Sequence, residues 1–465
     1  MNGYSLRIKL GAIMLFLVLV LFAVVFLPIV EVFQKDYFIG LQFVLVGIIA
    51  ILQMVIENNK HFYSLNLTHW FFIYTFMFCT GVTQFANNTF RWDFYPTIEE
   101  VFKANNILIL WCLLYSIVYQ SYKCTRKKEN NNSEEILTPI YNNSALAFFV
   151  FALVVLSCAT LYYVDFKAFF VRSLYEASSL NKLFSSSAIS SIMLALIRGF
   201  SLWMAMIVLF RFKIVKNLNT FVFLLISLLC CLILVPPLGV ARYVFACFYG
   251  GISLFYFDFF KRKNIFIYVL FFGLLLIFPM LNAFRGLYTT TITSEFIKNS
   301  LGNIQSNFSK ADYDAYTMLV YSVRYCARNG ITWGRQLLGV FLFFVPRHFW
   351  NSKPGGSGSL IIETMATTIV DPNVSCPLIG EGYMNWGIFG VVLFCIFFAC
   401  MTKKIDFNYY KRWKYNSYWG QMIYSYLVFY LVFLLRGDLM STFSSMCGYF
   451  VSFIIIKTFV VKKIS

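Results

Sequence analysis

The chain has 465 residues, of which 60% are apolar, 20% aromatic and 12% charged, with a formal net charge of +18. Soluble domains carry about 45–50% apolar and about 25% charged residues, so this composition excludes an ordinary water-facing surface and suits lipid. The positive balance would suggest nucleic acid in a soluble protein, but in a membrane protein lysine and arginine collect in cytoplasmic loops, which accounts for most of it without a nucleic-acid partner.

A helix needs about 20 apolar residues to cross the hydrocarbon core. Twelve stretches meet this, near residues 10–30, 37–56, 67–85, 104–121, 144–164, 189–210, 218–236, 240–260, 264–282, 384–401, 419–436 and 440–458. The first is too long for a signal-peptide core and has no small-residue cleavage site behind it, so it is expected to be a span. Basic residues alternate with the spans. With the N-terminus inside, inner segments hold clusters such as Lys123, Arg126, Lys127 and Lys128; Lys261, Arg262 and Lys263; and Lys403, Lys404, Lys411, Arg412 and Lys414. The short outer loops hold only scattered cations, among them Lys35, Arg91, Lys103 and Lys167. Both termini are therefore expected in the cytoplasm.

The expected organisation is all-α: a polytopic helical membrane protein of about twelve transmembrane helices. Spans one to nine occupy residues 1–282, a large extracytoplasmic loop occupies 283–383, and spans ten to twelve occupy 384–465. Within the loop, residues 313–328 place Tyr316, Val320 and Val323 on one helical face, with Arg324 and Arg328 four apart on another. Residues 331–345 are strongly apolar but too short for a span, which predicts a re-entrant or interfacial helix ended by Pro346. The Gly/Ser/Pro-rich stretch after it is loop, and PLIGEGYMNWGIFG leads back into the membrane.

No CxxC pair occurs among the twelve cysteines, so zinc or iron–sulfur ligation is not expected. Cys326 and Cys376 are the two in the large loop; they could form a disulfide, although two reduced thiols are commoner. Residues 283–353 carry Arg285, Lys298, Lys310, Arg324, Arg328, Arg335, Arg347 and Lys353 against Glu295, Asp312 and Asp314. This excess suits a polyanion or a phosphate, because the arginine fork donates two parallel hydrogen bonds; a solvated basic surface is the plainer alternative.

Arg198 lies about ten residues inside its span, roughly 15 Å deep at the helical rise. An arginine there costs about 2.5–3.5 kcal/mol, so it must meet a partner, for example Asp438, or a wet cavity. Arg242, Arg285 and Arg436 reach the same outer level from three other spans. Singly each reads as a helix-end snorkel; together they can line one outward-facing cavity.

No HExxH, GxSxG or P-loop pattern is present. Asp312 and Asp314 have DxD spacing but sit in a helical context, which supports a metal site only weakly. Glu381, between glycines in IGEGYMNWGIFG, could act as a general base on a hydroxyl or be a capped structural carboxylate. His348, the one histidine of the large loop, is a second candidate base, although a lone histidine is more often structural.

PRHFWNSKPGGSGS at 346–359, PLIGEGYMNWGIFG at 377–390, the NAFRG segment around Arg285 and the GVAR turn at 239–242 carry a resemblance. With the topology, they make the chain resemble the Wzy-type O-antigen and capsular polysaccharide polymerases. The motif region covers roughly 100 residues; elsewhere the likeness is one of hydropathy. The resemblance implies a GT-C-like helical fold in the bacterial cytoplasmic membrane. It implies joining of undecaprenyl-pyrophosphate-linked repeat units on the outer face, with donor and acceptor both lipid-linked. It further implies a metal-independent reaction without a cofactor, and a chain-length regulator and a flippase as partners beside membrane lipids. Under it, Glu381 or His348 serves as base. Arg198, Arg242, Arg285, Arg347, Lys353 and Arg436 meet the pyrophosphate, and Trp350, Tyr383 and Asn385 contact sugar; Trp386 fits interfacial anchoring better. An O-antigen ligase would share these features, and a lipid-linked oligosaccharide flippase would share the number of spans.

Overall fold

The fold was analysed in a computed structural model that describes residues 16–17, 19–20, 24–91, 95–124, 142–171, 174–175, 187–283, 308, 313–365, 374–414 and 417–460. Among these residues every regular element is helical. Seven helices are long and apolar enough to cross a bilayer, and Leu218–Leu234 and Ile265–Leu281 are shorter apolar helices. The protein is thus a helical membrane protein.

Helix α1 covers residues 24–35 and overlaps the end of the first expected span, of which residues 16–17 and 19–20 are also described. α2 (Tyr37–Lys60) starts where the Asp36 carboxylate accepts from the Ile39 N–H at 2.9 Å. α3 runs over residues 65–87 and widens into a π-helical stretch at Ile73–Cys79. α4 (Ile98–Ser121) opens with a Thr97–Glu100 capping box and begins six residues earlier than expected. α5 (Asn143–Tyr163), α6 (Ser187–Ile214) and α7 (Leu218–Leu234) follow. α8 (residues 242–256) and α9 (residues 265–283) contain π-helical turns at Ala246–Gly250 and Gly273–Ile277.

In the large-loop region, α10 (Ala315–Asn329), α11 (Arg335–Phe341) and α12 (Ser357–Met365) precede the return to the bundle. The returning segment is broken. Residues 378–385 (α13) and 388–413 (α14) are separated by Trp386 (φ −145°, ψ 27°) and Gly387 (φ 62°, ψ −143°). Only glycine adopts the second conformation without strain, so the chain turns sharply there. α15 (Tyr418–Arg436) and α16 (Leu439–Val460) complete the bundle.

Two apolar cores meet along α15. Tyr424, Val428 and Leu431 pack with α1–α4, α9, α10, α13 and α14. Met422, Tyr426 and Tyr430 pack with α5–α8 and α16. At the far end of α14, Asp406 accepts from the Leu65 and Asn66 N–H groups at 2.9 and 3.2 Å and from the Tyr119 and Tyr424 hydroxyls. It satisfies the first donors of α3 and fastens α3, α4 and α15 to α14.

Helix α10 departs from the expected one-sided pattern. Residues 315–325 are all buried, on every face. The Tyr316 hydroxyl donates to Asn105 Oδ1 at 2.8 Å and Thr317 donates to Gln84 Oε1 at 2.7 Å. Arg324, expected on a different face from Tyr316, Val320 and Val323, is buried with them and forms a bidentate pair with Glu100: Nε–Oε1 is 2.8 Å and Nη2–Oε2 is 2.7 Å. A fork-to-carboxylate pair is what makes burial of that cation tolerable. The Arg324 side chain is 8% exposed, so Glu100→Ala would strand its charge. The expected loss is about 3 kcal/mol, read as a lower unfolding temperature of the purified protein; an unchanged temperature would show the pair to be inconsequential.

Candidate functional site

A cavity of about 530 Å³ lies between α8, α9 and α15, close to where the two cores meet. Among the described residues, its polar wall comes from five places far apart in the sequence: Arg91 after α3, Arg242 at the start of α8, Asp314 before α10, Ser375 before α13, and Arg436 at the end of α15 with Asp438 in the turn that follows it. The remainder is ringed by apolar side chains, including Phe71, Phe260, Phe429 and Phe433. Ser253 also lines it, eleven residues along α8 from Arg242, so the lining runs on the order of 16 Å down the bundle. Three of the widened π turns supply wall residues: Phe76 from α3, Tyr249 and Gly250 from α8, and Gly273 and Leu274 from α9. Such turns displace the backbone from the regular helical path and opened space is a common result.

The charges in this wall are held in place. Arg436 Nη2 lies 2.9 Å from Asp314 Oδ1, and the Ser375 hydroxyl donates to the same oxygen at 2.6 Å. The Arg242 guanidinium lies 5.9 Å from the centre of the Phe278 ring and donates to the Phe278 carbonyl at 3.3 Å. The Tyr243 ring stacks on Phe433 at 3.7 Å and ties α8 to α15 beside the cavity.

Asp438 is 8% exposed. Its Oδ2 accepts from the Gly358 N–H at 3.2 Å and its Oδ1 from the Met440 N–H at 3.0 Å. Burial pushes its carboxyl above the usual carboxylate range, against the lowering effect of these backbone donors. A second acid stands behind it. Glu381 is buried; Ser357 Oγ donates to its Oε2 at 2.7 Å and the Leu439 N–H to its Oε1 at 3.0 Å. The two acids thus clasp the same two strips of chain, 357–358 and 438–440. Glycine is needed beside Asp438, because a Cβ on Gly356 would lie 2.8 Å from the Asp438 carboxyl carbon; a Cβ on Gly358 would instead meet the Val374 and Ser375 carbonyls.

No protein-family model, curated protein or solved structure matches the chain.

The cavity brings together Arg242 and Arg436 of the sequence candidates. Arg285, Lys298, Lys310 and Asp312 lie outside the described residues. Arg198 is on α6, near Tyr175 and Tyr449, with its Nε buried and without a hydrogen bond. It does not pair with Asp438, and it is not among the cavity-lining residues. Glu381 likewise lies behind the wall. Asn385 is buried, donating to the Glu381 carbonyl at 2.9 Å and accepting from the Leu337 N–H at 3.3 Å. Tyr383 is buried with the Lys103 ammonium 5.9 Å from its ring centre.

His348, Arg347, Trp350 and Lys353 sit together away from the cavity. His348 is exposed against Phe349. Arg347 donates to the Lys353 carbonyl, Lys353 to the carbonyls of Phe343 and Val345, and Trp350 to Ser352 Oγ. Cys326 and Cys376 are both free thiols. Sequence reasoning passed over Arg91 as a loop cation and weighed Asp314 and Asp438 only as a DxD member and an ion-pair partner. Asp438 had one readable signal, an acid in the two-residue turn between two apolar helices.

Proposed function

We propose that this protein is a Wzy-type polysaccharide polymerase. In this reading the chain crosses the bacterial cytoplasmic membrane about twelve times with both termini inside, the cavity opens to the outer face, and lipid-linked oligosaccharide units are joined there. The observation that carries the reading is the amphipathic lining of one cavity: Arg91, Arg242 and Arg436 with Asp438 in the polar wall, and phenylalanine rings along the rest. A lipid pyrophosphate needs both surfaces, cations for its head and rings for its tail. The sequence motifs at 346–359 and 377–390 support the same reading.

The chemistry then runs as a glycosyl transfer. An acceptor hydroxyl attacks the anomeric carbon of the donor glycan. Asp438 takes the hydroxyl proton, the new glycosidic C–O bond forms, and the anomeric C–O bond to pyrophosphate breaks. Arg242 and Arg436 stabilise the charge that develops on the departing lipid pyrophosphate. Glu381 acts behind Asp438, holding Ser357 and the Leu439 N–H so that the base is presented to the cavity.

Deleting the gene tests this. The expected surface glycan is a single repeat unit on its acceptor, with the polymer ladder lost. An unchanged ladder would reject the polymerase reading, and loss of all decorated acceptor would favour a ligase or a flippase.

A further inference from the structure

The hairpin between α10 and α12 carries apolar side chains that stand exposed among the described residues. Trp333, Leu338, Phe341, Phe344 and Phe349 are 78, 50, 56, 62 and 79% exposed. Trp333 also has a left-handed backbone, φ 51°, which a bulky residue rarely adopts. A strained conformation that displays an indole to water would have two costs and no compensation.

The hairpin is prebuilt and does not depend on a ligand for its shape. Thr332 donates its N–H to the Met384 carbonyl at 2.8 Å, and Leu337 to Asn385 Oδ1 at 3.3 Å. Arg335 closes it with a 2.9 Å hydrogen bond to the Ser352 carbonyl. Its inner face is continuous with a membrane helix: the rings of Phe341 and Phe343 lie 5.8 and 6.0 Å from Phe443, in the first turns of α16. Its charge is one-sided. From Gly330 to Ile362 the sequence has no aspartate or glutamate, while Arg335, Arg347 and Lys353 lie among the aromatic residues.

We propose that residues 333–350 are an interfacial anchor seated in the lipid leaflet that holds the N-terminal end of α16. The exposed rings of Trp333, Phe341, Phe344 and Phe349 sit at the acyl boundary, and Arg335 and Arg347 meet the phosphates of anionic headgroups. Aromatic side chains favour this depth, and each cation near an anionic surface adds attraction. The anchor also fixes the strip that begins at Pro354 and ends on Asp438 through Gly358, so seating steadies one wall of the cavity. The proposal rests on exposure, charge and continuity with α16 and stands apart from the glycosyl-transfer reading.

The test uses the full chain in lipid nanodiscs. A bimane fluorophore is placed on Phe344→Cys in a background where the exposed Cys158 is replaced by Ser. Phe349→Cys provides a second reporter; both sites are exposed, so neither substitution removes core packing. Lipids brominated near the top of the acyl chain are expected to quench both reporters several-fold more than bimane–glutathione in the same suspension. Replacing a third of the phosphatidylcholine by phosphatidylglycerol should deepen the quenching, and Arg335→Gln with Arg347→Gln should abolish that dependence. Quenching no greater than that of bimane–glutathione at both sites would overturn the anchor. Strong quenching that ignores phosphatidylglycerol would overturn the headgroup assignment.

Discussion

Asp438→Asn is expected to abolish polymer formation, with transfer in proteoliposomes falling by about 10²–10⁴-fold, the range for loss of a positioned general base. The substitution keeps the size of the side chain and removes the charge. Its cost to folding is smaller. Asp438 accepts from both the Gly358 and the Met440 N–H groups, and an amide can accept from only one of them, which costs about 1–3 kcal/mol. The ladder on a gel and the unfolding temperature of the purified variant therefore have to be read together. Full activity in Asp438→Asn would remove it as the base. Glu381→Gln is the companion variant. Its carboxylate holds Ser357 and Leu439, so a lowered unfolding temperature is expected along with reduced transfer. Loss of transfer at an unchanged unfolding temperature would move the base to Glu381. Because burial raises the Asp438 carboxyl, wild-type activity should fall on acidification at a pH above the usual carboxylate range, as the base becomes protonated.

The second large effect is expected at Arg436. Arg436→Ala leaves Asp314, 3% exposed, with its charge uncompensated. Removing one partner of such a pair costs about 3–5 kcal/mol, so the variant should unfold well below the wild type. Stability and function can be separated here. Adding Asp314→Asn removes the stranded charge, and the double variant should regain most of the lost unfolding temperature. Transfer should stay low by about 10²–10³-fold, because the cation that stabilises the leaving group is still missing. Recovery of both properties in the double variant would reduce Arg436 to a structural partner of Asp314.

Several expected spans coincide closely with helices. The stretches near 144–164, 419–436 and 440–458 appear as Asn143–Tyr163, Tyr418–Arg436 and Leu439–Val460. Apolar runs of this length are local signals, and no partner is needed to read them. The break at Trp386–Gly387 shows the limit of that signal, because hydropathy runs on through a backbone reversal. Residues 331–345 were readable as too short to span, and the structure resolves them into the seven-residue helix Arg335–Phe341 followed by turns.

The sequence by itself determined that this is a helical membrane protein, because composition and apolar run length act residue by residue and lipid leaves few alternatives. It also marked Arg242 and Arg436 as cations that need a reason. Only the tertiary structure decided which groups meet. It buried residues 315–325 on all sides, paired Arg324 with Glu100 and Arg436 with Asp314, set Asp438 in the cavity wall and left Glu381 behind it. The physical reason is that a span in lipid is apolar on its outer face as well as its inner one. The contrast that tells which side of a soluble helix faces the core is largely absent, so the convergence of side chains from five distant segments is settled by packing alone.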